Sequence, residues 1–300
     1  MIASRFKALP KADVHNHLHL CTSRERFYKL YPHFQYDFPE SYSGLDGMVD
    51  FILNKYNSIL TSSEDVVALL NASIQSSIDD NVTYLEASID TFLSRFFENS
   101  IEGLLDVVSE IKTQYKHKIT FKPDIGLNKN LDKKTAHAYG EACLSSHLFD
   151  GIDIYGIEFE QDLEHFKPIY RLARMQKLKT KIHIGEFSDA HSIKETIELL
   201  EPSEIQHGIT AVHSDYVMDM IAERDIQLNL CPASNMKLGA VKDLKTHPIR
   251  KLFDKGIRVT INTDDTVLFD KTVSDQFDDF LSLNVFSFDE LEIIRTNGFD

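Results

Sequence analysis

Eight short runs of apolar and β-branched residues alternate with helical segments along this 300-residue chain. This alternation constrains the fold most, because strands separated by helices form a parallel sheet with helices packed on its faces. The predicted strands cover residues 12–20, 82–88, 119–126, 152–159, 179–186, 204–208, 226–231 and 258–263. The predicted helices cover residues 63–79, 98–115, 133–146, 163–177, 191–200, 215–224, 248–255, 274–283 and 289–296.

Eight strand–helix units in 300 residues are typical of a (β/α)8 TIM barrel, an α/β fold. A doubly wound open sheet is the alternative. The barrel is favoured because polar residues follow nearly every strand, and a barrel gathers all strand ends at one mouth. Residues 21–60 are predicted to be an insertion over that mouth after the first strand, partly helical at 45–59, and extra helices follow the last strand. Because no linker divides the chain, we expect one domain over residues 1–300.

The charge and cysteine content exclude several classes of protein. Lys and Arg number 32 against 47 Asp and Glu, which gives a net charge of −15 and opposes binding to the phosphates of nucleic acids or membranes. Cys21, Cys143 and Cys231 make no disulfide framework and indicate a reducing compartment. The sequence shows no secretory signal and no apolar run near the roughly twenty residues of a membrane span. We therefore expect a cytoplasmic protein.

Histidine alternates with other residues along the first predicted strand. His15 and His17 are two residues apart, so on a strand they point to the same face and can chelate a divalent metal. His19 continues the alternation nearer the strand end. By itself this pattern is equally consistent with a polar strand rim.

The fifth and sixth predicted strands end in acid–base groups. His183 lies within the fifth strand, and Glu186 stands at its end, where burial raises the pKa of a carboxyl group and makes it a proton donor. Between them, Gly185 would let a substrate approach the backbone closely. His207 ends the sixth strand, and a loop histidine is the alternative interpretation.

Two adjacent carboxylates, Asp264 and Asp265, close the eighth predicted strand. After a buried run such a pair is costly unless it is paired or bound to a metal, although a surface turn is the alternative. Histidines and an aspartate at the same barrel face suit Zn²⁺ or a similar first-row ion. Such an ion lowers the pKa of a bound water, so the joint pattern indicates metal-assisted hydrolysis.

The ordered set of motifs resembles the adenosine deaminase family of the amidohydrolase superfamily over nearly the whole chain. The motifs are Leu9-Pro10-Lys11 followed by His15-Asn16-His17-Leu18, then His183-Ile184-Gly185-Glu186, His207-Gly208, Cys231-Pro232-Ala233-Ser234-Asn235 and Thr263-Asp264-Asp265. The resemblance implies one Zn²⁺, with other divalent first-row metals as alternatives, ligated by His15, His17, His183 and Asp264.

The resemblance also implies roles in proton transfer. Glu186 would protonate the purine ring nitrogen beside the attacked carbon, and His207 would orient and deprotonate the attacking water. Asp265 would share a hydrogen bond with another purine nitrogen. Water would attack C6 and ammonia would leave. Cys231 and Asn235 are expected to be structural.

Several departures from the family pattern concern the substrate. Nucleoside deaminases usually carry Asp-Gly after the first histidine motif, where the Asp meets the ribose, whereas this chain has His19 and Leu20. We therefore expect His19 to bind a different sugar, a free base or, if protonated, a phosphate. Gln161 or a neighbour replaces a purine-contacting Gly after the fourth strand. Because family members usually continue beyond Asp300, we also expect a truncated sequence.

The sequence therefore predicts a metal-dependent hydrolytic deaminase that releases ammonia from C6 of an adenine-containing nucleoside, nucleotide or base. An amidohydrolase with another leaving group and a catalytically silent purine-binding barrel are the alternatives. The additional acid Glu186 and the Asp264–Asp265 pair favour the deaminase, because attack on a purine requires protonation of the ring.

Overall fold

The eight predicted strands form one parallel sheet in chain order. The computed structural model describes residues 4–159 and 162–299, and each strand pairs in parallel with the next one along the chain. The strands are β1 Lys11–Asp13, β2 Val82–Asp90, β3 Thr120–Asn128, β4 Gly151–Tyr155, β5 Lys179–Ile184, β6 Glu204–His207, β7 Gln227–Leu230 and β8 Val259–Ile261.

The sheet closes on itself just beyond the ends of β8 and β1. The Asp264 N–H donates to the His15 carbonyl at 2.9 Å, and the His17 N–H donates to the Asp264 carbonyl at 3.2 Å. The Val14 N–H donates to the side-chain oxygen of Asn262 at 2.9 Å. The predicted (β/α)8 barrel is therefore confirmed, and three of the predicted site residues lie at the seam where it closes.

Helices cover the outside of the barrel and begin at capping residues supplied by the sequence. At the start of α3, the Ser62 hydroxyl accepts from the Asp65 N–H while the Asp65 carboxylate accepts from the Ser62 N–H. This reciprocal pair satisfies N–H groups that a helix start leaves without partners. The helices are α1 Arg24–Leu30, α2 Gly44–Asn54, α3 Ser63–Asp79, α4 Ile101–Tyr115, α5 Lys133–Ser146, α6 Lys167–Met175, α7 Ala190–Leu200, α8 Asp215–Glu223, α9 Pro232–Lys237, α10 Ile249–Asp254, α11 Thr266–Phe269, α12 Val273–Ser282 and α13 Phe288–Asn297.

The insertion between β1 and β2 is held together by aromatic rings. The ring of Phe27, fully buried on α1, lies 5.0 Å from Phe34, 5.2 Å from Phe38 and 5.4 Å from Tyr56. Phe38 in turn lies 5.7 Å from Phe51 on α2, so this packing holds α2 over the barrel mouth, because large aromatic side chains bury much apolar area. The sequence predicts a partly helical segment at 45–59, and the structure confirms it as α2 followed by a turn of 3₁₀ helix at Tyr56–Ile59; α1 precedes them.

The last helix closes the opposite end of the barrel. On α13, Asn297 donates to the Val259 carbonyl at the start of β8 at 2.9 Å, and Arg295 donates to the Pro10 carbonyl just before β1 at 2.5 Å. The extra helices predicted after the last strand are confirmed as α12 and α13. They leave the carboxyl-terminal mouth free for the candidate site.

Several predicted strands end earlier in the structure, and these differences lie at the barrel mouth. The first strand was predicted to span 12–20, but β1 ends at Asp13 and Leu18–Leu20 form a turn of 3₁₀ helix. Strands four and eight also end early, at Tyr155 and Ile261. In a regular strand, successive side chains point to opposite faces of the sheet. Neighbouring residues at the rim can therefore point into the same cavity only where the strand has ended. Helices α9 and α11 lie in segments for which the sequence predicts no helix.

A buried ion network fills the barrel interior below the mouth. Lys181 on β5 is fully buried, and its Nζ donates to Asp124 at 2.7 Å, to Glu86 at 2.5 Å and to the Val14 carbonyl at 3.1 Å. A buried ammonium group is tolerated only when such partners compensate its lost hydration. The network therefore ties β5 to β2, β3 and the chain leading to the rim.

The structure also describes the state of the cysteines and the apolar character of the helices. All three cysteines are free and buried. Within residues 4–159 and 162–299, no helix combines the length and apolar character required to cross a membrane.

Candidate metal centre and active site

Two histidines, one just after β1 and one on β5, face each other in the floor of the mouth. The Nε2 atoms of His15 and His183 lie 3.1 Å apart. The Nδ1 atom of His15 is 2.7 Å from the Asn229 carbonyl, and that of His183 is 3.1 Å from Asp153 Oδ1. Because a carbonyl or a carboxylate only accepts, each Nδ1 carries the ring proton and each Nε2 presents a lone pair.

An aspartate and further histidines surround this pair. The Oδ1 atom of Asp264 lies 3.6 Å from His15 Nε2. One donor atom each from His15, His183, His207 and Asp264 lie within 4.8 Å of one another. His17 joins two overlapping groups with the same spacing, one with Asp153 and His183, the other with Asp264 and Asp265. The structure thus groups three of the four predicted ligands, His15, His183 and Asp264, with His207. The fourth, His17, lies in neighbouring groups that share His183 or Asp264 with this one.

The donor set suits a divalent cation. Burial lowers the pKa values of His15 and His183 well below the usual range, so both rings are neutral. Two neutral imidazoles whose lone pairs face each other across 3.1 Å repel unless a cation lies between them. Imidazole nitrogens with a carboxylate oxygen are the ligands that zinc and similar first-row ions prefer. These residues therefore fit a single metal ion.

The ring of His17 is oriented by a residue that the sequence analysis did not identify. Its Nδ1 lies 3.2 Å from Oδ1 of Asp90, the last residue of β2. Asp153 on β4 has the same relationship to His183. Carboxylates behind metal-binding histidines fix the tautomer and the ring orientation. An aspartate inside an apolar strand sequence was the available signal, because a buried charge without a partner is costly.

Glu186 follows β5 and is buried over the donor shell. Burial, and after it the carboxylates of Asp264 and Glu158, raise the pKa of Glu186 well above its usual range. Its Oε1 accepts from Asn235 Nδ2 at 2.5 Å, and its Oε2 lies 3.6 Å from His207 Nε2. The raised pKa therefore favours the protonated form of Glu186 beside the donor shell, as a general acid requires.

His207 ends β6 with an unusual backbone conformation. Its φ of +68° lies in the left-handed region, and the φ of Asp264 is +59°. Such angles cost energy for residues other than glycine and concentrate at functional sites. Burial, and then the neighbouring His183, lower the pKa of His207 well below its usual range. Its neutral ring is therefore able to accept a proton.

Asp265 lies next to the donor shell and lines the cavity. It is 2% exposed, and its Oδ1 has no hydrogen-bond partner among the described residues. Burial, and then the charge of Asp264, raise the pKa of Asp265 well above its usual range. A buried polar atom without a partner is costly, so this oxygen is positioned to bind a polar group of a ligand.

The structure gives Gly185 a different reason for being glycine than the predicted contact with substrate. Its N–H donates to Glu158 at 2.9 Å and its carbonyl accepts from Thr210 at 3.0 Å, so its backbone groups are already used. Its φ is +78°, and a Cβ would lie 2.3 Å from the Ile193 side chain. The residue does not line the cavity. Gly185 instead permits the tight turn that carries Glu186.

Glu158 secures the same turn. Its carboxylate accepts from the N–H groups of Glu186 at 3.0 Å and Ser188 at 2.8 Å, and from the Ser188 hydroxyl at 2.6 Å. Consecutive N–H groups pointing at one carboxylate hold a loop firmly. Gln161, which the sequence predicts in place of the purine-contacting glycine, lies outside the described part of the chain.

His19 is buried in the cavity wall and is 3% exposed. Its Nδ1 has no hydrogen-bond partner among the described residues and lies 3.6 Å from Asp90 Oδ2. Burial lowers the pKa of His19 to about 4. The ring is therefore neutral at pH 7, and it does not supply the positive charge that would favour a phosphate.

The cavity has an acidic floor and an apolar wall. Its volume is about 370 Å³, and its floor carries His17, His183, Glu186, His207 and Asp264. Helix α2 contributes the apolar wall through Leu45, Met48, Val49, Ile52 and Leu53. Pockets of this size hold small organic ligands, with apolar walls around a few polar groups that fix orientation.

Comparison with known proteins agrees with this geometry. The model of a protein family described as adenosine deaminase matches residues 10–300. A protein of Treponema pallidum (strain Nichols), provisionally named an adenosine/adenine deaminase, is 36% identical over 277 residues, which cover 92% of this chain and 93% of that protein.

Solved structures share the fold at lower identity. The adenine deaminase of Arthrobacter aurescens superposes with a TM-score of 0.84 at 21% identity, covering 96% of this chain and 92% of that one. A Burkholderia ambifaria amidohydrolase, solved with bound zinc, superposes with a TM-score of 0.79 at 20% identity, covering 99% and 87%.

Proposed function

The chain belongs to the adenosine deaminase family and is thus a hydrolase of carbon–nitrogen bonds, and we propose that it releases ammonia from C6 of an adenine-containing compound. One observation carries this proposal: a buried metal-type donor shell and a separately protonated carboxyl group, Glu186, share one cavity of about 370 Å³. Metal-assisted hydrolysis by itself requires only the donor shell. Attack on a purine carbon also requires the protonated carboxyl group, because the ring becomes more electrophilic when the nitrogen beside that carbon is protonated.

We propose that the resident ion is a single Zn²⁺. His15, His17, His183 and Asp264 would hold it, with His207 in the same shell of donor atoms. When bound, zinc lowers the pKa of water towards neutrality and so supplies a nucleophile. The neutral state of His15 and His183 supports this assignment, since a protonated imidazole has no lone pair to offer. Although burial opposes it, Asp90 raises the pKa of His17 to about 10, so this ring would release a proton when the ion binds.

The protein residues divide the proton transfers between them. Glu186 donates its proton to the ring nitrogen beside C6, and His207 accepts the proton of the attacking water through its neutral ring. Asp265 uses its unpartnered oxygen to bind a second polar atom of the purine. Attack at C6 gives a tetrahedral carbon. The proton taken up by His207 then passes to the amino group, which leaves as ammonia, and the hydroxyl group on C6 returns a proton to Glu186 as the C6 carbonyl forms. A positioned proton donor of this kind contributes roughly 10²–10⁴-fold to a rate.

The cavity indicates which parts of the substrate contact which residues. The 6-amino purine lies against the acidic floor, and the substituent at the opposite side of the ring faces His19 and helix α2. His19 is neutral there and acts by shape or as a hydrogen-bonding group. We therefore expect His19 and α2 to determine whether a free base, a nucleoside or a nucleotide is the preferred substrate.

Location and partners follow from composition. Three free buried thiols support a reducing, cytoplasmic compartment. The net charge of −15 supports a small purine, rather than a nucleic acid, as the binding partner.

An ammonia-release screen tests this function. Purified protein analysed for metal would be assayed with adenine, adenosine, deoxyadenosine, AMP and N6-substituted analogues, with the Glu186→Gln variant as the control for contaminating activity. We expect ammonia from at least one 6-aminopurine with wild-type protein only. Metal-replete protein that binds a purine and releases ammonia from none would contradict the proposal and support a silent purine-binding barrel.

A further inference from the structure

A buried histidine outside the cavity is held in one tautomer by the backbone. His247 precedes α10 and is 2% exposed. The Ile249 N–H donates to its Nδ1 at 3.1 Å, so Nδ1 carries a lone pair. Burial lowers the pKa of His247 to about 3. The ring is neutral, and its one proton therefore lies on Nε2.

This proton sets the orientation of a buried amide. His247 Nε2 lies 3.2 Å from Asn235 Oδ1, and Asn235 is fully buried on α9. Because the imidazole donates, the facing amide atom must be the oxygen. The amide nitrogen is thereby directed towards the cavity. Without His247, the two orientations of the amide would differ little from this side.

The amide nitrogen in turn reaches the predicted proton donor. Asn235 Nδ2 donates to Glu186 Oε1 at 2.5 Å, and a longer contact of 3.4 Å joins it to His207 Nδ1. A protonated carboxyl group has one oxygen that accepts and one that carries the proton. Donation to Oε1 leaves the proton on Oε2, the oxygen 3.6 Å from His207 Nε2.

We propose that His247 is a positioning residue, which acts through Asn235 to keep the Glu186 proton on Oε2, the oxygen on the side of His207 and the donor shell. This inference rests on the deaminase function proposed above. His247 touches neither the cavity nor the donor shell, so its effect passes only through the amide. Asn235, expected from sequence to be structural, becomes the link between the loop before α10 and the proton-donating group.

Two substitutions separate this role from a merely structural one. In His247→Gln, the amide nitrogen stands in for Nε2, so the donor to Asn235 is kept and the acceptor for Ile249 is lost. In His247→Asn, the amide oxygen stands in for Nδ1, so the acceptor is kept and the donor is lost. Both variants are neutral and remove a similar part of the ring.

The kinetic expectation differs between the two variants. His247→Gln keeps kcat within about threefold of wild type, whereas His247→Asn lowers kcat by about 10- to 100-fold, part of the full effect of a general acid. KM, metal content and melting temperature stay close to wild type in both. Wild-type kcat in His247→Asn, or equal losses of kcat and melting temperature in both variants, would overturn the proposal.

An infrared measurement tests the hydrogen-bond chain without turnover. The C=O stretch of the protonated Glu186 carboxyl group is identified by its absence in Glu186→Gln. A hydrogen bond to Oε1 lowers this frequency, so we expect a rise in His247→Asn and no rise in His247→Gln. An unchanged band in His247→Asn refutes the positioning role. If wild-type protein released no ammonia from any purine, the deaminase function would fail while this band still decided the role of His247.

Discussion

The Nε2 atoms of His15 and His183 lie 3.1 Å apart, and neither carries a hydrogen. Each ring donates its only proton backwards, His15 to the Asn229 carbonyl and His183 to Asp153. Two buried lone pairs that face each other are stable only around a cation. The candidate metal centre therefore depends on the groups that accept from the Nδ1 atoms, the Asn229 carbonyl and the Asp153 carboxylate, as well as on the two rings.

Asp153→Asn tests this role of the residues behind the rings. The amide keeps an oxygen near His183 Nδ1 but removes the negative charge that makes the ring a strong ligand. We expect zinc affinity to fall by about 10- to 100-fold, measured by competition with a chromogenic chelator. The matched control is Asp106→Asn on the exposed face of α4, which should bind zinc like wild type. Equal affinities in both variants would remove the orienting role of Asp153.

Glu186→Gln tests the proton donor. The amide is close in shape to the acid but carries no acidic proton, so kcat should fall by roughly 10²–10⁴-fold while one equivalent of metal remains bound. Kinetics and elemental analysis of the same preparation measure both. Glu195→Gln, on an exposed side chain, is the control and should leave kcat unchanged. Near-normal turnover by Glu186→Gln would assign the proton to another group.

His19→Gln tests whether His19 contributes charge to substrate selection. With its pKa lowered to about 4, His19 is already neutral at pH 7, so a neutral amide changes no charge. The ratio of kcat/KM for AMP to that for adenosine should therefore stay within about threefold of wild type. A selective loss of AMP turnover of tenfold or more would show that His19 is protonated towards a phosphate after all.

Asp13 predicts a pH dependence of stability. Burial raises the pKa of this carboxyl from 3.8 to about 7. Between these values the folded protein holds a proton that the unfolded chain releases, so the free energy of unfolding falls as pH rises. The contribution is roughly 1 kcal/mol per pH unit.

Denaturant unfolding at pH 5 and pH 7 measures this dependence. Asp13→Asn cannot titrate, so its stability should fall less than that of wild type between the two pH values. Subtracting the change in free energy of unfolding of Asp13→Asn from that of wild type removes the contribution of other titrating groups. Identical pH dependence in both proteins would show that Asp13 is ionised in the folded state.

The barrel and the residues at its mouth could be predicted from sequence because both rest on local patterns. Alternation of strands and helices predicts the fold, and parallel strands in a barrel share one mouth. His15, His183, His207 and Asp264 follow from their positions near strand ends, and the structure brings their donor atoms within 4.8 Å.

The remaining features depend on contacts between distant segments. The left-handed backbone of His207 and Asp264 is imposed by the assembled rim. Both residue types are enriched in this conformation, but residue type alone does not predict where it occurs. Asp90 and Asp153 acquire their importance only beside His17 and His183. The sequence predicts that Gly185 contacts the substrate, whereas the structure requires glycine there because of its positive φ and the close Ile193 side chain. Neither the backbone angle nor the neighbouring side chain can be read from the sequence.

Titration of metal-free protein with Zn²⁺, followed by ammonia release from a purine substrate, tests the central claim most directly. The account predicts that activity rises in proportion to added zinc and stops rising at one equivalent, and that Asp264→Ala, which lacks one proposed ligand, gains little activity over the same range. Full activity without metal, or activity that zinc leaves unchanged, would contradict it.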